Sequence, residues 1–163
     1  MKQKLILLNG SPCVGKTTIA DGLLNLYENS AHLDDDWVWR VNPFSFDDSR
    51  NNSIFDNMAF ILSNYLNLNF DLVILSTVRM ISGDRGTLLS KIIADDYMTI
   101  GFTLKCSEET LVERHKKRGD EGECDFRWLR LDPYPNDFVI NTDDKTIERV
   151  VDEIKEIINM RSE

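Results

Sequence analysis

Cysteine is scarce in this sequence: Cys13, Cys106 and Cys124 stand far apart, and three is an odd count. They offer neither a metal-ligand spacing nor a disulfide framework, and a reducing cytoplasm is the expected setting. Basic residues are outnumbered, with 19 Lys and Arg against 28 Asp and Glu and a net charge of -9. An acidic surface repels a polynucleotide backbone, so no nucleic-acid partner is expected. A small anionic ligand stays compatible, because a local site can be positive on an acidic protein. Long apolar runs are missing too. Leu5 to Leu8 is too short for a leader or a bilayer span, and a glycine-containing loop follows it at once, so no membrane partner is expected. Repeats, low-complexity tracts and linkers are absent, and residues 1–163 read as one domain.

What is present is alternation. The run Leu5–Leu8 reads as a buried parallel strand. From Gly15 to Tyr27 the residues Ile19, Leu23, Leu24 and Tyr27 recur at helical spacing. Ala31–Leu33 is a short second strand. Asp47–Asn69 reads as a helix started by Asp47 or Asp48, with Ile54, Met58, Ile61, Leu62, Tyr65 and Leu66 on one face. Leu72–Leu75 is a third strand, Gly83–Asp95 a helix, and "YMTIGFTLKC" a fourth strand. Ser107 is placed to cap the helix that follows. Arg118–Asp137 reads as irregular, "FVIN" as a fifth strand, and the residues from Ile147 to Ile158 as a last amphipathic helix. Strands alternating with helices predict an α/β fold, a parallel sheet between two helix layers.

Gly10–Thr17 reads "GSPCVGKT", a full match to G-x-x-x-x-G-K-[ST]. Two glycines let the backbone curl until successive N–H groups point into one concavity. The following helix adds its positive end. Lys16 supplies a mobile ammonium for the β- and γ-phosphates, and the Thr17 hydroxyl suits Mg²⁺. The expected nucleotide contacts are Gly10, Ser11, Pro12, Cys13, Val14, Gly15, Lys16, Thr17 and Thr18. The thiol of Cys13 is read as a small loop group, since nothing beside it in sequence activates it.

A phosphate loop alone does not define a reaction. The second strand ends in "LDDDW", and ligands of open parallel sheets lie beyond the carboxyl ends of the strands. Asp36 is the first candidate for a base toward an acceptor hydroxyl, with Asp34 second; a second carboxylate helps to hold Mg²⁺. The competing reading is a solvated acidic turn. Trp37, Trp39 and Arg40 follow and suit a pocket for a flat or apolar acceptor, although a tryptophan here also suits the core. Arg114 and Arg118 are four apart on one helical face, before a polar glycine-containing segment. They read as arginines of a closing lid that stabilise transferring charge, against an exposed basic helix end. Arg127 and Arg130 are weaker lid candidates. Asn141, Thr142 and Asp143 lie at the turn after the fifth strand, either touching a base or merely capping the next helix. If the acceptor carries a phosphate, Arg40, Arg50 and Arg79 are the available cations.

Together, "GSPCVGKT", the acid-ended second strand, "ERHKKRGDEG" and "VINTDDKTIERV" resemble the small P-loop kinases of the nucleoside-monophosphate-kinase fold. Within it the chain is most similar to chloramphenicol-phosphotransferase-like and shikimate-kinase-like proteins and to bacterial nucleotide-kinase-like proteins. The order of motifs spans nearly the whole chain, but only the phosphate loop is highly specific. The resemblance implies a five-stranded parallel sheet in the order 2-3-1-4-5, ATP and Mg²⁺ as cofactors, a small-molecule acceptor, an acceptor-binding insert at about 37–69 and a lid at about 114–137. It places Asp36 at the acceptor hydroxyl, Arg118 in the lid and Asn141–Asp143 near the adenine. One departure is plain: the third strand ends in Ser76 and Thr77, where an acid is usual. Either these hydroxyls hold metal-bound water, or Asp34 or Asp36 takes the metal role. Two functions therefore compete: a phosphotransferase acting on a small acceptor, and a nucleotide-binding switch or sensor read by a partner. A GTPase is disfavoured by the lack of an N-K-x-D run, and a motor by size and acidity.

Overall fold

The computed structural model describes residues 2–45, 48–79 and 84–161. Five strands form one all-parallel sheet: β1 (Gln3–Gly10), β2 (Ser30–Asp34), β3 (Leu72–Thr77), β4 (Tyr97–Lys105) and β5 (Phe138–Asn141). Their spatial order is β2-β3-β1-β4-β5, as the resemblance implied. The central strand, β1, is buried from Lys4 onward, as a strand covered on both faces must be. Helices α1 (Lys16–Leu26) and α6 (Ile147–Met160) cover one face, packing Ile19, Leu23, Val150 and Ile154 against Ile6, Leu8, Phe102 and Leu104. Helices α2 (Ser53–Asn67) and α3 (Asp84–Lys91) cover the other, where Ile54, Met58, Leu62 and Leu88 meet Leu5, Leu7, Val73 and Leu75. Helix α4 (Glu108–Arg118) follows β4, and the short α5 (Arg127–Arg130) precedes β5. Among the described residues no helix is long and apolar enough to cross a membrane.

Several boundaries differ from the sequence expectation for local reasons. Before α2 stands a 3-10 turn, Ser49–Asn52, with Asp48 accepting the Arg50 N–H; the proposed start at Asp47 lies outside the described residues, as does Gly83. Helix α3 stops at Lys91 rather than Asp95 because α2 takes over the backbone bonds. The Ile93 N–H donates to Ser63 Oγ (2.9 Å), and its carbonyl accepts from Asn67 Nδ2 (2.9 Å). The segment 118–137 is not wholly irregular, since Arg127–Arg130 forms a helical turn with Asp125 accepting the Arg127 N–H. Ser107 caps α4 as expected, its hydroxyl accepting from the Thr110 N–H at 3.1 Å.

A buried ion pair ties α3 to the segment entering β5. Arg85 donates to both oxygens of Asp137 (2.6 and 2.9 Å), Thr103 Oγ1 donates to the same carboxylate (2.7 Å), and the Tyr134 ring lies 3.7 Å from the guanidinium. Gly101 makes the room, because a Cβ there would stand 1.9 Å from Asp137 Oδ1. Gly101→Ala is expected to destabilise the fold by about 3 kcal/mol, the scale of breaking a buried pair. Gly86→Ala, in α3 with nothing within 4 Å of an added Cβ, is the control and is expected to be neutral or stabilising. Urea unfolding of the two variants checks both; equal midpoints would show that the pair yields without cost.

Candidate active site

The loop after β1 needs its glycines. Gly10 has φ +152°, and a Cβ there would lie 2.8 Å from the Leu104 carbonyl oxygen. Gly15 enters α1 at φ +104°, in the left-handed half of the map. Between them the chain turns tightly, with the Val14 N–H donating to Ser11 O (3.3 Å), and the first N–H groups of α1 are left for a ligand. Lys16 folds back over the loop and donates to Ser11 O at 2.9 Å. Burial holds its pKa below the ordinary lysine value, against the pull of Asp35, Asp34 and Asp36. Ser11 itself is buried, its Oγ without a partner.

The three consecutive acids divide by strand parity. Asp34, at the end of β2, turns to the α1 side and is buried. Its Oδ2 accepts from Thr17 Oγ1 (2.7 Å) and Ser76 Oγ (2.7 Å), and its Oδ1 accepts the Asp36 N–H (3.1 Å). Burial raises the pKa of Asp34, but these hydrogen bonds outweigh it and leave the group below the ordinary value. Asp35 turns to the α2 side, accepts from Thr77 Oγ1 (2.6 Å) and faces Arg79 Nε at 3.4 Å. There burial prevails, and its pKa is raised. Asp36 is exposed. Carboxylate oxygens of all three lie within 4.8 Å of one another, a spacing that a divalent cation can use.

A cleft of about 800 Å³ runs over the loop. Pro12 to Thr18, Asp34, Asp35 and Asp36 form its floor. It is also lined by Trp39 and Phe44 from the segment after β2, Val78 and Arg79 after β3, Arg114, Lys117 and Arg118 of α4, Trp128 of α5, and Thr142, Lys145 and Ile147 after β5.

The other candidates from the sequence fall elsewhere or act differently. Trp37 does not line the cleft; it is 61% exposed and leans on the buried His32 ring at 5.4 Å. Arg40 faces a separate shallow groove with Trp39, Val41 and Asn42. Arg50 is exposed and paired with Asp48. Arg114 is not a free lid arm: it donates to Val14 O (3.0 Å), Thr142 Oγ1 (2.9 Å) and Thr142 O (3.0 Å), tying the phosphate loop to the turn after β5. Thr142 is buried within that tie. Asn141 Oδ1 accepts the Asp143 N–H, and Asp143 accepts the Ser107 N–H (2.9 Å), so Asp143 secures the approach to α4, while Thr146 caps α6. Neither Asn141 nor Asp143 lines the cleft. Arg127 and Arg130 pair with Asp125 and Glu108 away from it. Arg118 lines the cleft and is paired with Asp120, which also accepts from Cys13 Sγ (3.5 Å). Burial raises the Cys13 thiol pKa against the pull of Arg118, in keeping with its reading as a small loop group.

Sequence reasoning placed Asp35 near the phosphate loop with its neighbours but gave it no role, and it missed Trp128, Lys117 and Lys145 as cleft residues. The separate setting of Asp35 was discoverable from the period of two along a strand, which turns neighbouring acids to opposite faces. Trp128 gave no local signal, since only the return of the segment after α4 brings it to the cleft.

A parallel sheet in this order, with a glycine-rich loop joining β1 to α1, defines a P-loop nucleotide-binding protein. The AAA domain family matches residues 6–131, and the chain belongs to that family. No curated protein matches it by sequence. Among solved structures it is similar to the tunicamycin resistance protein of Deinococcus radiodurans, with 17% identity, 96% of each chain covered and a TM-score of 0.72. It is also similar to the APS kinase of Mycobacterium tuberculosis in complex with AMPPNP and APS, at 15% identity, 97% and 98% coverage and a TM-score of 0.67. A gluconokinase of Sinorhizobium meliloti matches at 14% identity, 99% and 98% coverage and a TM-score of 0.65. At such identities the likeness is one of fold.

Proposed function

We propose that the protein is an ATP-dependent phosphotransferase that moves the γ-phosphate to a hydroxyl of a small acceptor. The observation that carries this reading is the single cleft that holds the phosphate loop and the acids of β2 together, with aromatic walls beyond them. In this reading Lys16 and the loop N–H groups grip the β- and γ-phosphates, and Thr142, Arg114 and Ile147 border the base. Asp36, exposed to the cleft, orients the acceptor hydroxyl and takes its proton. Trp39, Phe44 and Trp128 cover the acceptor's body, and Arg79 its polar end. Residues 37–69 serve as the acceptor-binding insert, and the part of 114–137 beyond the tied Arg114 serves as the lid. That APS kinase and gluconokinase share the fold supports the class and leaves the acceptor to experiment.

The residues fit Mg²⁺. Thr17 gives its proton to Asp34 and so keeps lone pairs for a cation, while Asp34 is ionised and anchored in a cluster of acids. Thr17 and Asp34 would hold the ion, which would supply charge neutralisation at the β- and γ-phosphates. The three free thiols fit a reducing compartment, the cytoplasm.

The test is an ATP-consumption screen over nucleotides, sugars and hydroxylated aromatic or cyclic alcohols. One acceptor class is expected to raise turnover well above the rate with water alone; tight ATP binding with no stimulation by any acceptor would favour the sensor. The lid role has its own check. Arg118→Ala is expected to lower kcat on the order of 10²-fold while changing ATP affinity much less, since its charge acts on the transferring group. A change in thermal stability alone would make Arg118 a helix-end charge.

A further inference from the structure

Beneath the proposed metal site lies a polar chain that the reaction scheme above does not use. His32 and Ser76 are buried, at 8% and 0% exposure, on the α1 side of β2 and β3. His32 Nε2 lies 2.9 Å from Ser76 Oγ, Ser76 Oγ lies 2.7 Å from Asp34 Oδ2, and Thr17 Oγ1 lies 2.7 Å from the same oxygen. The protons in this chain can run in only one direction. An ionised carboxylate accepts and never donates, so Asp34 Oδ2 takes the single hydroxyl proton of Thr17 and that of Ser76. Ser76 then has only lone pairs to offer His32, and the imidazole must carry its proton on Nε2. The donor order is therefore His32 to Ser76 to Asp34, met from the other side by Thr17. Trp37 closes over the imidazole, and Nδ1, with no hydrogen-bond partner, faces Asp21 at 3.4 Å.

We infer that His32 and Ser76 are positioning residues for the cation site: they fix the Asp34 carboxylate so that Thr17 gives its proton inward and turns its lone pairs to the metal. The inference rests on the reading of Thr17 and Asp34 as the metal-holding pair. It also supplies a reason for Ser76 at the end of β3. The carboxylate that usually stands there is provided by the neighbouring strand β2, and a hydroxyl in its place donates to that carboxylate instead of repelling it. Outer partners of metal ligands orient them and tune affinity, and losing one costs about 10-fold to 100-fold in metal binding.

The test is binding of ADP, by calorimetry, in EDTA and in saturating Mg²⁺, together with Mn²⁺ binding to the ADP complex by electron paramagnetic resonance. The quantity read is the ratio of the two ADP dissociation constants, which a merely structural role leaves unmoved. Ser76→Ala and His32→Leu are expected to shrink that ratio and weaken Mn²⁺ about 10-fold, with ADP affinity in EDTA unchanged. His32→Gln, which keeps an N–H donor near the Nε2 position, is expected to restore most of the loss. Ser76→Ala removes one oxygen and keeps the fold testable if the larger change at His32 does not. A ratio that is unchanged or increased in Ser76→Ala overturns the inference. Asp34→Asn separates the two levels: if it abolishes the metal dependence while Ser76→Ala leaves it intact, the metal site stands and the positioning role falls. A wild type whose ADP binding ignores Mg²⁺ overturns both.

Discussion

Lys16→Ala is expected to abolish Mg·ATP turnover while the fold persists. Within Gly10–Thr18 no other side chain carries a cation to the β- and γ-phosphates. The loss should be on the order of 10³-fold or more, the scale of removing charge stabilisation from a preorganised site. The fold should tolerate the change for a reason visible in the loop. Lys16 keeps its ammonium against the Ser11 carbonyl, where burial disfavours the charge and depresses the pKa. The folded state thus binds the Lys16 proton less tightly than the unfolded chain does. Stability contributed by this group rises as pH climbs from the depressed value toward the ordinary 10.5, and is least below that window. Lys16→Met should therefore raise the apo melting temperature at neutral pH, with the gain shrinking as pH approaches 10.5. Turnover assays and melting curves check the two halves; full activity in Lys16→Ala would remove the basis for the nucleotide site.

Asp36→Asn is expected to lower transfer to the acceptor by roughly 10²–10⁴-fold while ATP affinity changes little. Asparagine keeps the shape and the hydrogen bonding but cannot take a proton. The geometry separates Asp36 from its neighbours: Asp34 is occupied by two hydroxyls and Asp35 by Thr77 and Arg79, whereas Asp36 gives only its backbone N–H to Asp34 and is exposed to the cleft. A Mg²⁺ titration of the variant decides between base and metal ligand. A raised Mg²⁺ requirement with partial rescue by excess metal would move Asp36 into the cation site. No acceptor turnover in the wild type, with ATP binding indifferent to Asp36, would leave a sensor.

How much of this was legible beforehand depends on how local each signal is. The sheet order followed from the resemblance, and the strands and helices from alternation, because continuous apolar runs and 3.6-residue spacing are written within single segments. The phosphate loop was equally local. Arg114 shows the limit. Its spacing from Arg118 correctly placed both on one face, but that α4 would carry it to the Thr142 carbonyl and the Val14 carbonyl depends on how β4 and β5 pair, which no window of sequence contains. Trp37 was misleading for a related reason. It follows the acids directly, yet the 3-10 turn Asp35–Trp37 sends it back toward His32. Helix ends failed where tertiary partners such as Ser63 and Asn67 took the backbone bonds, a competition invisible to local propensity.

The parity of β2 has a consequence for altering this protein. His32 and Asp34 serve the face shared with α1, and Leu33 and Asp35 the face shared with α2 and α3. The acid triplet is thus three addresses, not one patch with spare copies. Deleting a single aspartate from "DDD" leaves a sequence that still ends its strand in acids, but slides one of them onto the wrong side of the sheet. In the proposed reading, point substitutions at Trp39 and Arg79 would retune what enters beside them and leave the Thr17–Asp34 hydrogen bond in place. Insertions and deletions in the same five residues scramble both halves at once. If the proposed phosphotransferase reading holds, libraries aimed at a different acceptor would vary identity at Trp39 and Arg79 and hold the length of this turn fixed.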